Sequence, residues 1–205
     1  VSNRTTLPIL KGILIQADQE GTLTLTASDL EISIQKTVSA SVQEAGSSVV
    51  ISKLFGDIIR KLPNEEIFIE SDSDNLISIK TSTSEFSVVS FPVEEFPKIG
   101  EKEEIKESLT FSRDIFRDMV RKTSFAASVD ESKGILVGIL TEIGTEKVSM
   151  VALDGFRLAL ANEAMTSERE NKFIISAKIM NEISKIIAED GDAEEVEIYL
   201  GKKKA

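Results

Sequence analysis

Ile135-Leu136-Val137-Gly138-Ile139-Leu140 is the stretch on which the fold turns, because Ile9-Leu10-Lys11-Gly12-Ile13-Leu14 carries the same IL-x-GIL pattern 126 residues earlier. Working outward, Leu153-Asp154-Gly155-Phe156-Arg157-Leu158-Ala159-Leu160 has a weaker copy in Ala27-Ser28-Asp29-Leu30-Glu31-Ile32, with Asp29 placed 125 residues before Asp154. A third pair, Ile51-Ser52 and Ile175-Ser176, leads each time into a helical pattern at an offset of 124. Three landmarks in one order at one near-constant offset define two copies of a module of about 125 residues.

Between the landmarks, hydrophobic periodicity predicts the elements. Strands are expected at 7–17 and 22–26, with alternation resuming at Leu30, Ile32 and Ile34. A hairpin is expected from 38–42 and 48–51, turning at Glu44-Ala45-Gly46. Ser52 is the expected cap of an amphipathic helix with Leu54, Phe55, Ile58, Ile59 and Leu62 inward, stopped by Pro63. Strands at 67–70, 76–81 and 85–90 follow. Pro92, Pro97 and Gly100 then break the periodicity, so 92–108 is expected to link a first domain at 1–91 to a second at 109–205. In the second, Ser112 caps a helix over 112–123, strands follow at 134–142, 147–152 and 156–162, Ser176 caps a helix over 176–188, and a last strand begins at Val196. Overlaid, the copies leave helix 112–123 and strands 75–90 without counterparts inside the chain. With Val1 in place of Met, this points to a fragment cut through its repeat at both ends.

Composition narrows the chemistry. The 205 residues include no Cys and no His, which removes thiol chemistry, disulfides, the commonest general base and the commonest zinc ligands. No apolar run approaches the ~18 residues of a membrane span and no basic-then-apolar leader is present, so a cytoplasmic location is expected. Asp72-Ser73-Asp74-Asn75 and Asp190-Gly191-Asp192 lack the later Gly and bidentate Glu of a calcium loop and read as turns. Gly134 and Gly138 are not followed by GK[ST], so they make no phosphate loop, and Lys202-Lys203-Lys204 reads as the start of a hairpin. No Ser or Thr stands out with a Lys or carboxylate base. No catalytic residue, metal site or cofactor is assigned.

The net charge of −11 argues against a polyanionic partner until the charges are sorted by element. Lys53, Arg60 and Lys61 give the helix at 52–62 a balance of +2; Arg113, Arg117, Arg121 and Lys122 give that at 112–123 another +2; Lys178 and Lys185 leave that at 176–188 at +1. Everything else therefore totals −16. Arg113, Arg117 and Arg121 recur every fourth residue and form a stripe. Mixed charge is ordinary on any single solvated helix face. Three helices of one sign on an acidic β-rich body form a segregated surface that would draw a polyanion by phosphate contacts.

Thr6-Leu7-Pro8-Ile9-Leu10-Lys11-Gly12-Ile13-Leu14, the strand at Ser28-Asp29-Leu30-Glu31, the pairs Phe91-Pro92 and Phe96-Pro97, and Asp154-Gly155-Phe156-Arg157-Leu158-Ala159 share the order and spacing of one family. Over essentially its whole length the chain resembles the β sliding clamp of bacterial DNA polymerase III. The resemblance implies an α+β DNA-clamp fold: repeated β-rich modules, three to a subunit, in two subunits closing head to tail with sheets outside and helices lining the hole. It implies most of the first and second domains here, without the first domain's opening helix and without a third domain. It implies a non-catalytic processivity subunit that encircles duplex DNA and tethers the polymerase. Carried over position by position, the second-domain half of the pocket for polymerase and clamp-loader peptides is Leu136, Leu153, Gly155, Phe156, Arg157 and Leu158. Leu153 stands where the family often has Thr, and Phe156 where it often has His or Tyr, so this half-pocket is more apolar. The strand at 85–90, bearing Phe86 and Val88, resembles the edge that pairs with the other subunit. The competing reading is a scaffold of repeated sheets that binds proteins and no nucleic acid, with its basic faces scattered.

Overall fold

The computed structural model describes residues 7–30, 32–72, 75–97, 107–167, 170–189 and 194–200. The chain divides into two compact units, Val1–Glu101 and Lys102–Ala205. In the first, a 3-10 turn, Pro8–Lys11, precedes β1 (Gly12–Ala17), β2 (Thr22–Ser28), β3 (Ser33–Ser39), β4 (Gly46–Ile51), α1 (Ser52–Lys61), β5 (Phe68–Ser71), β6 (Leu76–Lys80) and β7 (Glu85–Phe91). The strands form one antiparallel sheet in the order β3-β2-β1-β4-β7-β6-β5. Across the middle the connection is narrow: β4 meets β7 at Val49–Phe91 and Val50–Ser90, whereas β6 and β7 pair along five positions.

The second unit runs β8 (Glu107–Ser112), α2 (Arg113–Thr123), β9 (Gly138–Ile143), β10 (Lys147–Leu153), β11 (Leu158–Ala164), β12 (Asn171–Ser176), α3 (Ala177–Glu189) and β13 (Glu195–Leu200). Its four-stranded sheet has the order β11-β10-β9-β12, and β13 pairs with β8. The first unit's β3-β2-β1-β4 recurs here at the repeat offset. Register recurs with it, Gly12 opposite Ile51 and Gly138 opposite Ser176, so Ile51 corresponds to Ser176 and the expected match of Ile51-Ser52 with Ile175-Ser176 is one residue out of step.

Both IL-x-GIL motifs fold the same way, and not as continuous strands. The first half of each lies in a 3-10 turn (Pro8–Lys11 and Glu131–Val137), and the strand begins at the glycine. Pro8 suits that first turn, since its missing N–H would have no partner there. The expected hairpin from 38–42 and 48–51 does not form: β3 pairs with β2, and β4 with the far side of β1. Ser52 is the first residue of α1 and not its cap; Ser112 holds the cap position of α2 without a side-chain bond.

Apolar spacing explains the packing. Phe55 and Ile58 of α1 bury against Ile15, Val50, Ile77, Ile79 and Val88. On the other face of the same sheet, Ile9, Leu10, Leu14 and Val49 are covered by Phe96, with Phe91 and Val93 beside it. Residues 92–97 of the expected linker are therefore a packed cover on the first unit, anchored by Phe96 at 5% exposure. Glu107–Ser112 is strand β8 of the second unit, and 98–106 lie outside the described residues. In the second unit Phe116, Met119 and Val120 of α2 and Met180 of α3 are fully buried against Ile139, Val148 and Met150. The turns expected around Asp72–Asn75 and Asp190–Asp192, and the hairpin start at Lys202–Lys204, fall on residues that are partly or wholly outside those described. Among the described residues no helix is long and apolar enough to cross a membrane.

Candidate functional site

Two surfaces of the second unit gather the residues singled out above. The first is a groove between α2 and α3. Burial of Phe116, Met119 and Val120 turns the opposite stripe of α2 outward, and the groove is lined by Arg117 and Arg121 from α2 and Lys185 from α3. Two carboxylates, Asp114 and Asp118 of α2, also line it, and neutral polar groups complete it: Ser124 at the end of α2, and Asn181 and Ser184, which stand four and one residues before Lys185. These three neutral residues were absent from the sequence expectations, because a lone Ser or Asn on a helix carries no charge signal.

The cations of the groove are not equivalent. Arg121 Nη2 and Lys122 Nζ both donate to Asp118, which holds its carboxyl below the usual range, Lys122 contributing most and Arg121 next. The same contact, aided by Glu163 at 3.7 Å on β11, raises the Lys122 ammonium and draws it towards the sheet. Lys185 Nζ lies 2.8 Å from Glu182 Oε1. Arg113 Nε lies 3.6 Å from Asp114 Oδ1. Arg117 has no carboxylate partner among the described residues, and its Nε is buried without a hydrogen bond. A guanidinium with no ion pair of its own, in a groove shared with Ser124, Asn181 and Ser184 as well as Asp114 and Asp118, is suited to a bidentate phosphate contact. Lys178 is exposed on the first turn of α3. Lys53, Arg60 and Lys61 are exposed on α1 of the first unit, where Arg60 is paired with Asp57.

The second surface is the turn from β10 to β11. Gly155 sits at φ +97°, a conformation that L side chains rarely adopt, so the sharp reversal requires glycine there. Asp154 closes the turn: Oδ1 accepts the N–H groups of Phe156 at 2.9 Å and Arg157 at 3.0 Å, and Oδ2 accepts Arg157 Nε at 2.9 Å. These donors, Phe156 N–H first, hold the Asp154 carboxyl below the ordinary carboxylate range. The result displays Phe156 at 94% exposure and Leu158 at 63%, with Leu153 and Leu136 half-buried beside them. The expected strand at 156–162 thus starts two residues late, and Phe156 and Arg157 belong to the turn.

Neighbours missing from the sequence expectations extend this surface. Phe125 lies under the Arg157 guanidinium at 6.0 Å, Lys133 Nζ lies 5.7 Å from the Phe156 ring centroid, and Ile135 is exposed nearby in the chain. Lys133 also donates to the Asp154 carbonyl at 3.3 Å. Asp154→Ala should leave the unit folded while releasing the turn, read as lost hydrogen-exchange protection at the Phe156 and Arg157 amides. Unchanged protection would mean the loop holds itself. Because the folded-state carboxyl titrates low, the ordering is complete above the ordinary aspartate value of ~3.9 and is lost as pH falls through the depressed value.

The strand proposed for subunit contact, β7, lies in the strand order between β4 and β6, yet it meets β4 only at Ser90 and Phe91, so the β4 side of 85–89 pairs with no strand among the described residues. Val88 is buried in the core at 5% exposure, because alternation turns it inward; Val89, on the opposite face, is 63% exposed, and Phe86, on Val88's face but near the start of the strand, is 39% exposed. Val88 is therefore not available to a partner's side chains.

Two β-rich units with one strand order and helices packed on their sheets define the DNA-clamp fold. Residues 1–100 match the family model for the DNA polymerase III beta subunit, N-terminal domain, and residues 110–205 match that for its central domain. The beta sliding clamp of Halalkalibacterium halodurans is 34% identical over 93% of this chain and 53% of its own length. A DNA polymerase sliding clamp from Bacillus subtilis, solved by crystallography, superposes with a TM-score of 0.90 at 30% identity over 98% of this chain and 55% of that one. A DNA polymerase III subunit beta from Pseudomonas aeruginosa, solved bound to griselimycin, gives 0.88 at 27% identity over 98% and 55%. The chain belongs to the DNA polymerase III beta subunit family. It spans about half the length of the curated relatives it matches.

Proposed function

We propose that this chain supplies the first two of three domains of a cytoplasmic sliding clamp, a non-catalytic subunit that encircles duplex DNA and tethers the replicative polymerase. The observation that carries this reading is the convergence of Arg117, Arg121 and Lys185 in one groove of a chain whose net charge is −11. Lys53, Arg60, Lys61, Arg113, Lys122 and Lys178 are the further candidates to face the duplex. Contacts go to phosphates, directly or through water, because a protein that slides must bind every sequence alike. The turn bearing Leu153, Gly155, Phe156, Arg157 and Leu158, with Leu136 beside it, is the proposed half-site for peptides of polymerase and clamp loader. A second clamp subunit completes the ring, and Phe86 remains the exposed candidate on β7.

A protein-binding scaffold gives no reason for cations to collect on helices while the remainder of the chain is strongly acidic. Arg117→Gln combined with Arg121→Gln tests the point. Each phosphate that the protein ceases to neutralise takes ~0.9 from the slope of log affinity against log salt, so the pair should flatten that slope by ~0.9 for Arg117, with a smaller part from Arg121, which is paired to Asp118. Duplex affinity and slope equal to those of the parent would return the scaffold reading.

A further inference from the structure

All three helices contain the same device. An acidic residue precedes a basic one by three positions and is ion-paired to it: Asp57 with Arg60 on α1, Asp118 with Arg121 on α2, and Glu182 with Lys185 on α3. The repeat makes the recurrence informative. Glu182 and Lys185 lie 125 positions after Asp57 and Arg60, so α1 and α3 carry the pair at equivalent places. Both residue types changed between the copies, Asp to Glu and Arg to Lys, while the order of charges and the ion pair stayed. On α2 one carboxylate, Asp118, holds two cations, Arg121 and Lys122.

Each member of a pair is exposed enough to change partner. The side chains of Arg60, Arg121 and Lys185 are 72%, 75% and 68% exposed, so each can swing from its carboxylate to an arriving anion. We propose that Asp57, Asp118 and Glu182 are restraining residues, which keep three phosphate-binding cations engaged between encounters with DNA and thereby hold duplex affinity low. The proposal rests on the DNA reading above. A bare cation gains the whole of a phosphate contact and releases one condensed counterion from the duplex. A cation that must first leave a carboxylate gains only the difference between two ion pairs. The abandoned carboxylate also takes up a counterion as the duplex gives one off. Contacts of this kind form and break with little net change, as movement along a duplex requires. Arg117, Lys53, Lys61 and Lys178, which have no carboxylate partner among the described residues, supply the steady attraction.

Weak i,i+3 pairs also stabilise helices, and that role alone would make the carboxylates irrelevant to DNA. Fluorescence anisotropy with a short labelled duplex separates the two. The variants are Asp57→Asn with Asp118→Asn and Glu182→Gln; Arg60→Gln with Arg121→Gln and Lys185→Gln; and, as a control for net charge, Glu20→Gln with Glu94→Gln and Glu142→Gln, all exposed and away from the helices. Thermal melts accompany each to confirm folding. The first variant should bind on the order of tenfold tighter than the control at low salt, with a slope steeper by up to ~0.9 for each freed pair. Equality of the first variant with the control overturns the proposal. Weaker binding by the second variant supports the DNA reading in either case, and unaltered binding by the second overturns that reading itself.

Discussion

Gly12→Ala should lower the stability of the first unit by about 3 kcal/mol, near the upper end for overpacking a core. Gly138→Ala, at the equivalent place, should cost nearer to about 1 kcal/mol. Both glycines begin a strand where the neighbouring strand passes too close for a side chain. A Cβ on Gly12 would stand 2.5 Å from Val49 Cγ1 and 2.9 Å from the Ile9 carbonyl oxygen. On Gly138 it would strike Ile174 Cγ2, with the Ile175 carbonyl at 3.2 Å. The difference lies in what can yield. Val49 is fully buried, whereas Ile174 is 46% exposed and free to turn away. Backbone angles do not enter, since both glycines have extended conformations open to alanine. Denaturant melts of the two variants check the order; equal losses would show that both sites relax alike.

Leu158→Asp should weaken a short polymerase-derived peptide by at least about 2 kcal/mol, or roughly thirtyfold in Kd, in the full-length protein. Leu158 is 63% exposed, so the substitution leaves the core intact and its effect is read on binding. An aspartate there places an unpaired charge where an apolar anchor must be desolvated. Arg157→Ala should cost less by direct contact, yet it also removes the guanidinium from Asp154 and from the Phe125 ring. Calorimetric titration measures both. Affinity unchanged in both variants, with the protein folded, would move the peptide site elsewhere.

The helices and the repeat were legible in the residues because each rests on spacing. Phe55 and Ile58, or Phe116, Met119 and Val120, announce a buried face at helical period, and the offset of the two glycine motifs foretells the repeated strand order. What misled was continuity. Ile135 to Leu140 is apolar throughout, so nothing in its pattern marks the 3-10 turn before Gly138. The position of β7 is decided by pairing with β4 and β6 across long sequence separations, which no local pattern encodes. At the candidate sites charge was visible and neutrality was not: Arg117 and Lys185 stand out in the chain, Asn181 and Ser184 do not. Phe125 lies 32 residues before Arg157, and only the folded chain brings ring and guanidinium together.

The join between β4 and β7 has a mechanical meaning. A sheet resists bending through its rungs, and here two residue pairs carry what five carry between β6 and β7. Load applied along the sheet concentrates at that seam, so the strands β5 to β7 act as a leaf sprung from the rest, with α1 bridging its root through Val50, Ile77 and Val88. The side chains that α1 ties across the seam, Val50 on one side and Ile77 and Val88 on the other, are then what resist that bending.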